Sequence, residues 1–342
     1  MRARGVSRSV CAAALAAVAA AALASGCARH SGSGDTASTA APAGAAVAPV
    51  QHTAPAGTVV ASGPIAALLA EPASGDLVLL DRDGVTVRIQ DPTGSTPERT
   101  LTLPARATAL VPGPAGQILA AAGRAVLHID VAAATVHTTA VDGQVRAVAQ
   151  RPDGTEAAAL ADGRLLILAA DGHVIHTING MSGDEIAAPG SAVAVLDRAR
   201  TTLTQADIAH ARPGLALRTG QGATNLVTDH FGRILVTDTA GGALLVYTAD
   251  PLAMHQMFPL SSAPYALAYD QRSETVWVTL TGSNQIAGFD LSTGIPVEVG
   301  RYPTVRQPNS VTVDSRTGDL FVGSATGDGL QRIGADERKR GQ

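Results

Sequence analysis

Cysteine is nearly absent from this chain. Among 342 residues there are two, Cys11 and Cys27, and both lie in the first 27 positions. The rest of the chain therefore has no disulfide to stabilise it. Its folded state must depend on the burial of apolar side chains, and a 46% apolar composition at this length is enough for one large domain or two ordinary ones.

Lysine is almost missing as well. The one lysine is Lys339, there is no long run of basic residues, and the formal net charge is −4. A mildly acidic chain without a basic cluster lacks the positive charge that phosphate backbones require. We therefore expect no nucleic-acid partner.

Apolar runs long enough to cross a bilayer are also lacking. The longest run, Val10 to Leu23, has about fourteen residues and follows the basic residues Arg2, Arg4 and Arg8. That length is typical of the core of a secretory signal and short for a membrane span. The N-terminus is therefore interpreted as a targeting segment.

The stretch LASGC, residues 23–27, ends this segment. It resembles the bacterial lipobox, and the resemblance implies that Cys27 receives a diacylglyceryl group and becomes the new N-terminus. Residues 1–27 would then be a lipoprotein signal peptide, and the lipid on Cys27 would hold the protein to the membrane. The alternative is ordinary signal cleavage beside a chance cysteine.

Residues 28–57 consist almost entirely of Ala, Gly, Ser, Thr and Pro. Such a segment has no hydrophobic periodicity and too few bulky apolar residues to form a core. It is predicted to be a flexible tether between the anchor and the folded domain.

A repeat occupies the remainder of the chain. The stretch VWVTLTGSNQIAGFDLSTGIPVEV, residues 276–299, contains three short β-like runs separated by turns, and similar stretches cover 234–258 and 320–333. Aligning the first turn of every copy gives spacings of 41, 38, 36, 42, 42 and 44, on Gly75, Gly116, Gly154, Gly190, Gly232, Glu274 and Gly318. Several short strands in each period of about 40, without helical periodicity, are typical of a β-propeller.

The sequence therefore predicts an all-β, seven-bladed propeller of four-stranded blades over residues 58–334, followed by a polar tail over 335–342. The last repeat has only three strands of its own. Because an open sheet edge must be protected, the run TVVASG, residues 58–63, is predicted to supply its fourth strand.

The best copies, at 234–258 and 276–299, look like the YVTN-type β-propeller repeat of bacterial surface and periplasmic proteins. Together with the lipobox, they make the chain similar to propeller lipoproteins of mycobacteria and other actinobacteria. This resemblance implies a lipid-anchored protein on the outer, extracytoplasmic face of the cell membrane. It implies no particular activity.

Candidate binding residues lie on one face of the predicted ring. We call it the top face: it carries the start of the first strand of each blade and the turn between the second and third strands. The predicted ligand-binding residues on this face are Asn309, Tyr265, Thr224, Arg146, Glu185, Arg82, Arg124, Arg164, Arg198 and Arg200. The arginines would suit carboxylate or phosphate groups, and the alternative is that they pair with neighbouring acids in solvated loops. On the opposite, bottom face, Asp270 and Asp314 are predicted to cap turns.

The stretch PNSVTVD, residues 308–314, is similar to the start of the first strand in the gluconolactonase and regucalcin family. That resemblance implies a divalent-metal ligand at Asn309. The corresponding positions Ala66 and Ala107 offer no ligand, and Glu185 is the one acid near such a position, whereas a hard cation needs several oxygen ligands. We predict no metal site, no cofactor and no catalytic residue. Quinone-dependent propellers repeat tryptophan in every blade, whereas this chain has a single tryptophan, Trp277. Trp277 is expected to pack between blades.

Two functions follow from the sequence. The first is a monomeric, non-enzymatic binding platform for a peptide, a glycan or a protein partner, acting through the top face. The alternative is a metal-dependent lactonase or esterase of the gluconolactonase type. The fold alone does not separate the two.

Overall fold

Alternating apolar residues separated by tight turns form 28 strands and no helix in residues 41–338, the part of the chain that the computed structural model describes. The strands form seven antiparallel four-stranded sheets, or blades. Blade 1 contains β2 (Ile65–Ala70), β3 (Leu77–Asp81), β4 (Thr86–Gln90) and β5 (Arg99–Thr102). Blade 2 contains β6 (Val111–Pro112), β7 (Gln117–Ala122), β8 (Ala125–Asp130) and β9 (Thr135–Ala140).

The next blades repeat this order. Blade 3 contains β10 (Val145–Gln150), β11 (Glu156–Leu160), β12 (Arg164–Leu168) and β13 (Val174–Asn179), and blade 4 contains β14 (Glu185–Ala187), β15 (Ala194–Asp197), β16 (Thr202–Asp207) and β17 (Arg212–Arg218). Blade 5 contains β18 (Ala223–Thr228), β19 (Arg233–Asp238), β20 (Ala243–Ala249) and β21 (Leu252–Pro259), and blade 6 contains β22 (Pro264–Asp270), β23 (Thr275–Leu280), β24 (Gln285–Asp290) and β25 (Val297–Pro303).

Blade 7 joins the two ends of the propeller. It contains β26 (Pro308–Val313), β27 (Leu320–Ser324), β28 (Leu330–Ile333) and, from the N-terminal side, β1 (Thr58–Val60). β1 runs antiparallel to β28, with Thr58 opposite Arg332 and Val60 opposite Leu330. The prediction that an N-terminal strand closes the last blade is confirmed for Thr58–Val60 of the predicted run 58–63, and the fold is the predicted seven-bladed propeller.

Apolar packing completes the ring. Seven clusters of buried side chains each join two neighbouring blades, and the seventh joins blade 7 back to blade 1 through Phe321, Leu330, Ile65 and Leu79. Each blade therefore buries on its neighbours the apolar faces that it could not bury alone. Trp277 packs as predicted, in the cluster between blades 6 and 7.

The repeated first turn has one backbone conformation in all seven blades. The six aligned glycines have φ between 58° and 85°, and Glu274, at the same position in blade 6, has φ of 53°. This left-handed region favours glycine because it has no Cβ. Backbone geometry therefore explains why glycine recurs at a period of about 40.

The tether predicted for residues 28–57 is wrong over its second half. Residues 43–56, which we call the strap, form hydrogen bonds with groups of blades 4, 6 and 7 or the loops beside them, and Ala43 lies against Gly222 at the start of blade 5. The strap has little apolar bulk, but several of its backbone N–H and C=O groups bond to polar side chains of the propeller. Residues 28–40, like the signal segment and Cys27, lie outside the described residues.

The polar tail also needs correction. Residues 335–338 pack on the bottom face, where the backbone N–H of Ala335 donates to Asp319 Oδ1 at 3.0 Å and Arg338 lies over the Trp277 ring. These residues belong to the folded unit, and residues 339–342 lie outside the description. In residues 41–338, no helix is long and apolar enough to cross a membrane.

Candidate functional site

The first strands of neighbouring blades contact each other around the centre of the ring, and most of them start with the same irregularity. In blades 1, 3, 5, 6 and 7 the pairing register between the first and second strands shifts near the top face, which leaves Ala66, Arg146, Thr224, Tyr265 and Asn309 in or beside the bulge. A β-bulge adds an unpaired residue and redirects its side chain. Four of the predicted candidates therefore share one structural position.

Thr224 does not face a ligand. Its side chain is fully buried, and its hydroxyl lies 3.1 Å from Thr237 Oγ1 and 2.6 Å from Thr239 Oγ1. Thr237 and Thr239 in turn donate to backbone carbonyl oxygens of blade 6. The prediction of Thr224 as a binding residue is corrected: the bulge turns it into a hydroxyl network that joins blades 5 and 6.

Tyr265 and Asn309 lie at the next two blades. Tyr265 is half-buried and packs against the apolar cluster between blades 6 and 7, and its carbonyl oxygen accepts from Asn225 Nδ2 at 3.0 Å. The side-chain oxygen of Asn309 accepts from Gln307 Nε2 at 2.9 Å. Asn309 therefore orients Gln307, and through it the strap.

Gln307 makes the central contact of the top face. Its Nε2 donates to the carbonyl oxygen of Ala46 at 2.8 Å, and its Oε1 accepts from the backbone N–H of Ala48 at 2.9 Å. These two bonds flank Val47, as the bonds of a neighbouring strand would. With Asn309 as the acceptor for the second N–H, every hydrogen-bonding position of the primary amide except one lone pair is used.

Asn284 extends this contact along the strap. Its Nδ2 donates to the carbonyl oxygen of Pro49 at 3.0 Å, and its Oδ1 accepts from the backbone N–H of Gln307 at 3.0 Å. Both amides are buried, and both residues have positive φ, 51° for Asn284 and 54° for Gln307. Such strain in residues other than glycine persists where the surroundings require it, and it concentrates at functional sites. We call Asn284 and Gln307 the amide clamp.

Further contacts fix the rest of the strap. Ala46 N–H donates to Thr281 Oγ1 at 3.1 Å, Gln51 Nε2 donates to the Thr304 carbonyl at 2.8 Å, and Arg198 Nη2 donates to the Ala43 carbonyl at 2.8 Å. Ala48 is 3% exposed, whereas Val47 is 87% exposed and Val50 is 71% exposed. The surface therefore binds an extended backbone and accepts a small side chain at one position, while neighbouring side chains point outward.

A charged cluster lies where the strap reaches Arg198. Glu185 Oε2 accepts from the backbone N–H of Leu226 in blade 5 at 2.8 Å, Asp184 Oδ2 accepts from the backbone N–H of Arg198, and Arg146 lies 3.0 Å from Asp184 Oδ1. The pKa of Glu185 is raised to about 8, chiefly by burial and to a smaller extent by Asp184, while the Leu226 N–H and the Arg198 guanidinium act to lower it. Glu185 thus joins blades 4 and 5 and is half protonated near pH 8.

The remaining arginines pair locally and do not converge. Arg124 binds Asp142 at 2.6 Å, Arg164 binds Asp162 at 2.7 Å, and Arg200 binds Asp197 at 2.9 Å. Arg82 is exposed at the top face. This agrees with the alternative of solvated, locally paired charges for most of the set, and only Arg198 bonds to the strap.

A metal site over the channel would need several oxygen ligands close together. In the described residues, no cluster of three or more His, Cys, Asp and Glu side chains could hold a metal ion. On the bottom face, Asp270 and Asp314 accept from backbone N–H and hydroxyl groups of their own turns, which confirms their capping role.

The sequence did not lead us to predict the residues that hold the strap. Gln307 stands directly before the PNS stretch, and Asn284 lies in the turn SNQ. An amide at the tip of a top-face turn was a weak signal for binding, but nothing in the local pattern indicated an N-terminal segment as its partner.

Comparison with known proteins identifies the fold of this chain but no family. A scan against protein-family models finds no match, and no curated protein matches. Solved structures do match: hydrazine synthase of Kuenenia stuttgartiensis, with a TM-score of 0.67 at 12% identity over 84% of this chain and 99% of that one, and a streptogramin B lyase, with 0.65 at 12% over 82% and 96%. A chain of a mitotic checkpoint complex gives 0.67 at 11% over 86% and 96%.

Such low identities show a shared propeller fold and nothing of the chemistry. The neighbours include enzymes and a chain of a multiprotein complex, so the architecture serves both kinds of task. The assignment to YVTN-type repeats stays a prediction.

Proposed function

We propose that this protein is a lipid-anchored binding platform of the cell envelope, whose top face binds an extended peptide segment of a partner protein. The observation that carries the proposal is the amide clamp, which holds the backbone of the protein's own strap on both sides of Val47. A surface that binds backbone in this way recognises an extended conformation first and a side-chain pattern second.

The strap indicates what such a partner segment should look like. The buried Ala48 requires a small side chain at the corresponding position, and the exposed Val47 and Val50 tolerate variation. Prolines at 49 and 55 favour an extended backbone and reduce the entropy lost on binding. We therefore propose a partner segment rich in Ala and Pro that displaces the strap.

The anchor would keep this face near the membrane. If Cys27 is lipidated, Ala43 follows it by sixteen positions, and Ala43 lies on the top face beside Arg198. A chain of that length spans at most about 55 Å. A partner segment within that distance of the membrane would meet the top face at a high effective concentration.

A peptide with the sequence of residues 43–51 is the direct probe of the binding site. It should bind a variant that lacks residues 43–51, with a dissociation constant below about 1 mM, equivalent to about 4 kcal/mol. The wild-type protein should bind the same labelled peptide more weakly, because its own strap occupies the site. Equal binding to both proteins, or to neither, would remove the basis for the proposal.

The anchor is tested separately. Mass spectrometry of the mature protein should find a lipid-modified cysteine at the N-terminus, and Cys27→Ala should release the protein from membranes or leave its signal segment uncleaved. An unmodified Cys27 in the membrane fraction would contradict anchoring but would leave the binding site intact.

A further inference from the structure

A cavity lies on the bottom face between blades 6 and 7. Its volume is about 300 Å³, which is at the lower end of the range for small-molecule sites. Its walls come from both blades and from the tail after β28, and they include Asp270, Arg272, Trp277, Tyr302, Thr317 and Arg338.

Two buried donors of this cavity have no acceptor. Trp277 is 3% exposed and the Arg338 side chain 7% exposed, yet neither Trp277 Nε1 nor Arg338 Nε has a hydrogen-bond partner among the described residues. A buried donor without an acceptor destabilises the folded state, because it loses its hydrogen bond to water and gains none in return. Buried donors without an acceptor are rare in native proteins, and a ligand that supplies the acceptor would account for two of them at one site.

The charge of the cavity points to an anionic acceptor. The Asp270 carboxylate lies 3.8 Å from Arg338 Nη2, and it already accepts from the Arg272 N–H and the Ser273 hydroxyl. The two carboxylates that act on the Arg338 guanidinium, those of Asp270 and Asp319, already accept hydrogen bonds from other groups. Burial lowers the pKa of Arg338, whereas the charges of Asp270 and Asp319 raise it, so a bound anion would stabilise the buried cation further.

The aromatic side chains define the rest of the ligand. The Trp277 and Tyr302 rings lie 6.0 Å apart and are tilted, and the Arg338 guanidinium lies 4.9 Å above the Trp277 ring. We infer that the cavity binds a small carboxylic acid with an aromatic body. The carboxylate pairs with Arg338 and accepts from the indole N–H, and the ring packs against Trp277 and Tyr302.

Binding requires Arg338 to shift from its place over the indole. Its Nη2 bonds to the Gly318 carbonyl, and the residue follows β28 outside any strand. A carboxylate that engages the fork of the guanidinium replaces the weaker contact with the ring.

Trp277 provides the readout because it is the single tryptophan of the chain. Phenylacetate titrated into the whole protein should change the Trp277 emission saturably, and phenylacetamide, which has the same shape without the charge, should bind at least about tenfold more weakly. Arg338→Gln should weaken phenylacetate binding by about tenfold or more, whereas Arg124→Gln on the top face should not change it.

Three results would overturn this inference: no saturable change with phenylacetate, equal binding of the amide, or unchanged binding by Arg338→Gln. Calorimetry with the same two compounds checks that the emission change reports binding. The test does not involve the strap or the amide clamp, so its result is independent of the proposed function.

Discussion

The side-chain amide of Gln307 donates a hydrogen bond to the carbonyl oxygen of Ala46 at 2.8 Å, across 261 positions of the chain. The same amide accepts from Ala48, so the loop before the last blade holds the N-terminal strap on the top face. The top face is therefore a surface already used for backbone recognition.

Replacing Gln307 by Ala should loosen the strap. The N–H of Ala48 loses its acceptor, so its hydrogen exchange should accelerate, and stability should fall by about 1 kcal/mol. Gln221→Ala is the matched control, because Gln221 is an exposed glutamine on the same face. Unchanged exchange at Ala48 in Gln307→Ala would show that the amide does not hold the strap.

Gln307→Gly separates the clamp from its backbone strain. Glycine removes the amide but adopts φ near 54° without penalty, so this variant should lose protection at Ala48 while unfolding at a higher temperature than Gln307→Ala. If both variants lost the same stability, strain at this position would contribute nothing.

Ring closure by β1 predicts a second effect. Val59→Pro combined with Val60→Pro removes at least one N–H from the pairing with β28 and should lower the free energy of unfolding by about 2 kcal/mol. Val50→Pro, at an exposed strap position with no backbone bond to the blades, is the control. Denaturant unfolding gives the comparison, and equal curves for the two variants would mean that β1 does not close the ring.

The fold was predictable because its signal is local. Alternating apolar and polar residues at 276–299 indicate strands. The repeated first turn needs a residue with positive φ, so glycine occupies this turn in six blades and Glu274 occupies it in the remaining one. The closing strand followed from counting three strands in the last repeat.

The site was only partly predictable. Bulges at the start of the first strands brought Arg146 and Asn309 to the top face, but the bulge at Thr224 turned that residue inward. The sequence did not predict the strap because residues 43–56 have no apolar pattern. Their fixed position depends on hydrogen bonds to side chains more than 150 positions away.

Glu185 should make stability depend on pH. Its pKa is about 8 in the folded protein and 4.5 ordinarily, so between those values the folded state binds more protons than the unfolded state. The free energy of unfolding therefore falls as pH rises through this window. Burial of Glu156, which raises its pKa to about 7, acts in the same direction.

Glu185→Gln should remove part of this dependence. The neutral amide can still accept from the Leu226 N–H, so the melting temperature should exceed that of the wild type by about 2–4 °C at about pH 9 and match it at about pH 5. Glu98→Gln controls for the loss of one negative charge. A parallel pH profile for wild type and Glu185→Gln would contradict the raised pKa.

The central claim is that the amide clamp binds an extended peptide, and one affinity ratio tests it most directly. In the variant that lacks residues 43–51, fluorescence anisotropy would measure binding of the labelled 43–51 peptide with and without Gln307→Ala. We predict that Gln307→Ala weakens the peptide by about tenfold or more, as expected for the loss of two hydrogen bonds, and that Gln221→Ala does not. Equal affinities with and without Gln307→Ala would contradict the account.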